Sequence, residues 1–146
     1  MCSRRPKAST TTPVRRGGGI AVIYNNRFTA KRIEFEVKPA TFEVLGCIIR
    51  SSSINNVYVV VYRPACDKPT DELFAELTAL LEIVVIYRSQ YIITGDFNAH
   101  VNDPEDLLAR RFLNLIESFD LVQSVTGLTQ KNGNTLDLII TYMVHC

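Results

Sequence analysis

The sequence predicts an α/β domain, and three observations carry that prediction. Short apolar runs rich in Val and Ile recur between residues 42 and 62, each bounded by polar or glycine-containing turns. Two later segments repeat their apolar residues at helical spacing instead. From residue 57 onward the two kinds alternate as strand, helix, strand, helix, strand, which is the order of a layered α/β protein.

The elements follow in chain order. Gly17-Gly18-Gly19 has no Lys-Ser/Thr behind it, so it reads as a flexible entry to a strand at Ile20–Tyr24 rather than a phosphate cradle. Asn25-Asn26 marks a turn, and an extended segment runs from Phe28 to Val37, stopped by Pro39. Phe42–Arg50 and Val57–Tyr62 are two further strands across a polar turn at 51–56. The second, nearly continuous in apolar residues, reads as buried on both faces. These first strands suit an antiparallel meander.

Thr70 is placed to cap a helix near 70–85, with Asp71 and Glu72 in its first turn and Leu73, Leu77, Leu80, Leu81 and Val84 along one stripe. That helix separates Val57–Tyr62 from a strand at 91–95, a length suited to a parallel crossover. A second helix is expected near 104–119. Asp103 would cap it, Pro104 would stand in its first position, and Leu108, Phe112, Leu115, Ile116 and Phe119 would form its apolar stripe. Short extended pieces at 121–125, a turn at Lys131-Asn132-Gly133-Asn134 and a last strand at 136–141 complete the reading.

The chemistry gathers where the strand at 91–95 ends, in Gly95-Asp96-Phe97-Asn98. Two residues apart in extended backbone, Asp96 and Asn98 share a face. A carboxylate and an amide pointing into one space suit phosphate-ester chemistry: the first takes a proton or holds a metal, the second donates to a phosphate oxygen. Gly-Asp-x-Asn is also turn composition. Asp137 lies inside an apolar strand, either facing solvent from an edge strand or turned inward to orient a catalytic group. His100 reads as a loop residue.

Composition sets bounds. The chain of 146 residues is one domain long, with ordinary hydrophobic and charged content. No apolar run approaches a membrane span, and no membrane partner is expected. Residues 1–16 carry +5 and no acid, and their Ser, Thr and Pro content predicts a disordered basic tail; the net charge of +1 leaves −4 on residues 17–146. That balance argues against a broad basic DNA-binding face. Cys2, Cys47, Cys66 and Cys146 form no metal-type pair; Cys47 reads as a buried core thiol and the others as free, as in a reducing, intracellular compartment.

Three separated pieces also align with one family: Val59-Val60-Val61-Tyr62-Arg63-Pro64, Ile93-Thr94-Gly95-Asp96-Phe97-Asn98 and Thr135-Leu136-Asp137-Leu138-Ile139-Ile140-Thr141. In this order they resemble the endonuclease/exonuclease/phosphatase superfamily, and within it the apurinic-type endonuclease domain of non-LTR, LINE-like retrotransposons. Gly17–Val22 and Leu121–Gly127 resemble segments of that subgroup, so the likeness covers roughly residues 16–141. It implies a fragment of a four-layered α/β sandwich, two mixed sheets flanked by helices, with residues 17–146 as a partial domain. It implies Asp96 as the group that activates water and contacts a metal, Asn98 as the phosphate- and metal-side amide, Tyr62 as a phosphate contact and Asp137 as the brace of a catalytic histidine. The implied cofactor is Mg2+ or Mn2+, the implied substrate DNA, and the parent polypeptide is expected to carry a reverse transcriptase domain.

The departures shape the functional expectation. The family's metal-binding glutamate belongs upstream of this sequence and its Ser-Asp-His downstream of it, while the chain ends Tyr142-Met143-Val144-His145-Cys146. Ala65, Leu128 and Gln130 stand where the family or subgroup often has Asn, Pro and His. The sequence is therefore expected to be a nuclease domain truncated at both ends and a poor nuclease alone. The alternatives are a catalytically dead remnant and a lipid or inositol phosphatase of the same superfamily.

Overall fold

The computed structural model describes residues 19–53, 55–65, 70–87 and 90–142. The expected basic tail, Cys2, Cys66, His145 and Cys146 lie outside them. The α/β class holds. Six strands form one mixed sheet: β1 (Thr29–Ile33), β2 (Glu43–Arg50), β3 (Asn55–Tyr62), β4 (Tyr91–Asp96), β5 (Leu121–Gln123) and β6 (Asp137–Tyr142), in the order β1-β2-β3-β4-β6-β5. Two helices accompany them, α1 (Asp71–Ile86) and α2 (Leu107–Glu117). The first three strands are an antiparallel meander, and α1 carries the chain across from β3 to a parallel β4. β6 returns antiparallel beside β4, so Asp137 is on an interior strand and not an edge one.

Alternation along the strands decides the layers. Val57, Val59 and Val61 of β3, Tyr91 and Ile93 of β4, Leu138 and Ile140 of β6 and Leu121 of β5 are buried on one face. They form one apolar cluster with Leu73, Leu77, Leu80, Leu81 and Val84 of α1 and Leu108, Phe112 and Ile116 of α2, so both helices cover that same face. Burying each such aliphatic side chain is worth about 1.5–3 kcal/mol relative to leaving it exposed. The opposite face carries Val60, Ile92, Thr94 and, more exposed, Val122 and Ile139. β3 is thus buried on one face and half-buried on the other, not buried on both as its run of Val predicts. Among the described residues there are two layers, one sheet and one helix layer, consistent with the expected fragment of a four-layered sandwich.

Local chemistry explains where the elements differ from expectation. Ile20–Tyr24 forms no strand: it has no ladder partner among the described residues, and Ile23 is 96% exposed. The segment from Phe28 to Val37 is a strand only over Thr29–Ile33, the stretch that pairs with β2. α1 starts where expected, with the Thr70 hydroxyl accepting from Leu73 N at 3.2 Å. α2 starts later: Asp106, not Asp103, is its cap, its carboxylate accepting from Ala109 N at 3.0 Å. Asp103 accepts instead from Glu105 N at 2.9 Å, a local Asx turn that spends residues 103–105 outside the helix. The segment 39–41 is tied to α1 by Glu76, which accepts from Ala40 N, Thr41 N and the Thr41 hydroxyl.

Candidate active site at the carboxyl end of β3 and β4

Register alone brings the expected residues together. Tyr62 stands beside Asp96 in the parallel pair β3–β4, and Asp96 stands opposite Asp137 in the antiparallel pair β4–β6. Residues at one level on neighbouring strands project from the same face. Tyr62, Asp96 and Asp137 therefore make a row across three strands, on the face away from the helices. Glu43 extends the row, opposite Tyr62 on β2. Phe97 N donates to Leu136 O at 3.0 Å, which makes Asp96 and Asp137 a non-hydrogen-bonded pair. In that arrangement the Cα atoms approach to about 4.5 Å and side chains are nearest.

Gly95 lets this row form. Its φ is +140°, and a Cβ built there would stand 1.8 Å from Val61 O. Only glycine allows β4 to close on β3 one residue before Asp96. Beyond Asp96 the backbone turns: Asn98 adopts φ +47°, and its N–H donates to Asp96 Oδ1 at 3.0 Å. The Asn98 amide reaches back to β3, where Nδ2 donates to Arg63 O at 2.6 Å. Asn98 thus lies beside the row, with its amide nitrogen engaged by backbone rather than directed outward.

Burial pushes the Asp96 carboxyl above its ordinary range, and the Asp137 charge adds to this; the Asn98 N–H and the Arg63 charge pull the other way without cancelling it. Asp137 is exposed, at the first position of β6. Its backbone N–H and that of Leu136 both donate to the Thr129 hydroxyl, at 3.1 and 2.9 Å. Asn102 ties the same loop to the β4–α2 connection, accepting from Thr135 N and donating to Gly133 O, both at 2.9 Å. His100 is a loop residue, as expected, with Nδ1 2.8 Å from Asp106 Oδ2.

Arg63, Asn102, Thr129 and Glu43 join the site without a role expected from the sequence. A signal existed for Arg63, the next residue on the buried alternation Val57, Val59, Val61. Asn102 and Thr129 act through loop contacts that no periodicity reveals.

Among the described residues no group of three or more His, Cys, Asp or Glu side chains is placed to hold a metal. The donor chemistry of Asp96 and Asp137 nevertheless suits Mg2+, which commonly binds through one or two carboxylates, waters and substrate phosphate. No described helix is long and apolar enough to cross a membrane.

No family profile matches the chain, and no curated protein does. Among solved structures it is similar to the human Nocturnin catalytic domain with bound sulfate anion, at 19% identity and a TM-score of 0.48. The overlap covers 80% of this chain and 48% of that one, so this chain spans about half its length. An overlap at that level fixes neither family nor chemistry.

Proposed function

We propose that the chain carries part of a phosphodiester-hydrolysing site of the endonuclease/exonuclease/phosphatase type, descended from a DNA endonuclease of the retrotransposon kind. The observation that carries this reading is the row Tyr62–Asp96–Asp137 at the carboxyl end of the parallel pair. Three residues from sequence pieces far apart meet at one level on one face. In this reading Asp96, its carboxyl raised by burial, accepts a proton from the attacking water. The Tyr62 hydroxyl donates to a non-bridging phosphate oxygen. Asp96 and Asp137 would hold Mg2+, which when bound would neutralise phosphate charge and acidify water. Slow turnover is expected, because among the described residues no group of three or more His, Cys, Asp or Glu side chains is placed to hold a metal.

A second reading is a non-catalytic remnant with no activity, or at most a binding role; the absence of a three-ligand group among the described residues supports it. Plasmid relaxation separates the two. The first reading expects slow, Mg2+-dependent nicking that Asp96→Asn lowers by about 10²-fold. Metal binding at the row without nicking would favour the second. Nicking that Asp96→Asn leaves unchanged would contradict both.

A further inference from the structure

We propose that Arg63 is the positioning residue of this site, a buried cation that holds the 96–98 turn in shape from the helix side of the sheet. The inference deepens the phosphodiesterase reading and rests on it for its functional meaning. Arg63 follows β3, where alternation turns it to the face opposite Tyr62, and it is 5% exposed. It helps line a small cavity with Val61, Phe97, Ala99, Leu108 and Phe112, among the least favourable surroundings for a charge. An apolar side chain would fill that space more favourably, so a guanidinium there needs a reason.

The hydrogen bonds supply it. Arg63 Nη1 donates to Phe97 O at 3.2 Å and to Asn98 O at 3.1 Å. Carbonyls of successive residues point to opposite sides in a strand, and two of them converging on one point repel unless a donor stands between. The left-handed step at Asn98 accompanies this convergence, and a non-glycine residue holds that conformation only when its surroundings enforce it. The contacts run in both directions: Arg63 N donates to Asp96 O at 2.8 Å, and Asn98 Nδ2 donates to Arg63 O at 2.6 Å. One residue therefore touches the backbone of Asp96, Phe97 and Asn98 and places a positive charge near the Asp96 carboxylate. Asp96 meets substrate in the proposed reaction; Arg63 acts through it and through the turn that Asn98 closes.

The test is amide NMR on the 15N-labelled full chain, with Arg63→Met and Arg63→Lys beside it. In Arg63→Met the Asn98 side-chain amide is expected to move to the position of a free amide. Its backbone N–H, bound to Asp96 Oδ1, should exchange about 10-fold faster. The core amides of Val59 and Ile93 should keep their protection, and Arg63→Lys should fall between the two chains. An unmoved Asn98 in Arg63→Met would overturn the proposal, as would an equal loss of protection at Val59 and Ile93, which marks a purely structural role. Should Arg63→Met not fold, Arg63→Lys decides on the same criteria. None of these signals depends on hydrolysis, so failure of the phosphodiesterase reading would leave them unchanged.

Discussion

Asp96 and Asp137 project side by side from neighbouring strands, on the face of the sheet that the helices leave open. Like charges directly opposite in a sheet destabilise it. The Asp96 carboxyl, raised by burial and then by Asp137, binds its proton more tightly in the folded chain than in the unfolded one. Stability therefore falls as pH rises from the ordinary carboxylate value of 3.8 through the raised one. Asp96→Asn should raise the melting temperature at pH 7 by a few degrees, an order set by ordinary single-site effects. The gain should fade as pH falls toward 3.8, where the wild-type carboxyl is itself neutral. Melting curves of both proteins across that range check it; no gain at pH 7 would count against the pairing.

Gly95 makes the opposite case, a site residue whose replacement is expected to cost the fold. Because a Cβ there would overlap Val61 O, a backbone atom, no side chain can move aside to admit it. Gly95→Ala should cost more than about 4 kcal/mol and leave little soluble folded protein. Gly133, whose added Cβ would meet nothing within 4 Å, is the control. With φ at +86° there, Gly133→Ala should cost only about 1 kcal/mol of backbone strain. Chemical unfolding of the two variants measures both.

The clamp on residues 40 and 41 should show acid sensitivity. Burial pushes the Glu76 carboxyl up, but hydrogen bonds from the Thr41 side chain and the backbone of Ala40 and Thr41 together outweigh it, so the net direction is down. A depressed folded pKa gives stability that is present above the unfolded value of 4.5 and lost as pH falls through the folded one. Glu76→Ala should destabilise by about 1–3 kcal/mol at pH 7, and the difference from wild type should shrink in acid. Equal differences at pH 7 and pH 3 would contradict the assignment.

Much of this was legible in the sequence where one pattern dominates. The meander, the crossover helix and the neighbourhood of β3, β4 and β6 follow from apolar period and connection length, and the Thr70 cap from a hydroxyl before two acids. What escaped depends on partners distant in sequence. Ile20–Tyr24 has strand composition but no described strand to pair with. Asp103 and Asp106 are both acceptable caps locally; the contact of Asp106 with His100 accompanies its use as the cap. The level at which Tyr62, Asp96 and Asp137 meet is set by ladder register, and Gly95 marks the place without revealing why.

In the proposed site, Asp96 and Asp137 of the row across β3, β4 and β6 would hold a divalent metal. Paramagnetic broadening by substoichiometric Mn2+ in the amide spectrum of the full chain tests it most directly. The expected result is selective loss of the signals of Tyr62, Gly95, Asp96, Asp137 and Leu138, reversed by excess Mg2+ and absent in Asp96→Asn. Broadening centred elsewhere, or identical in Asp96→Asn, would contradict it.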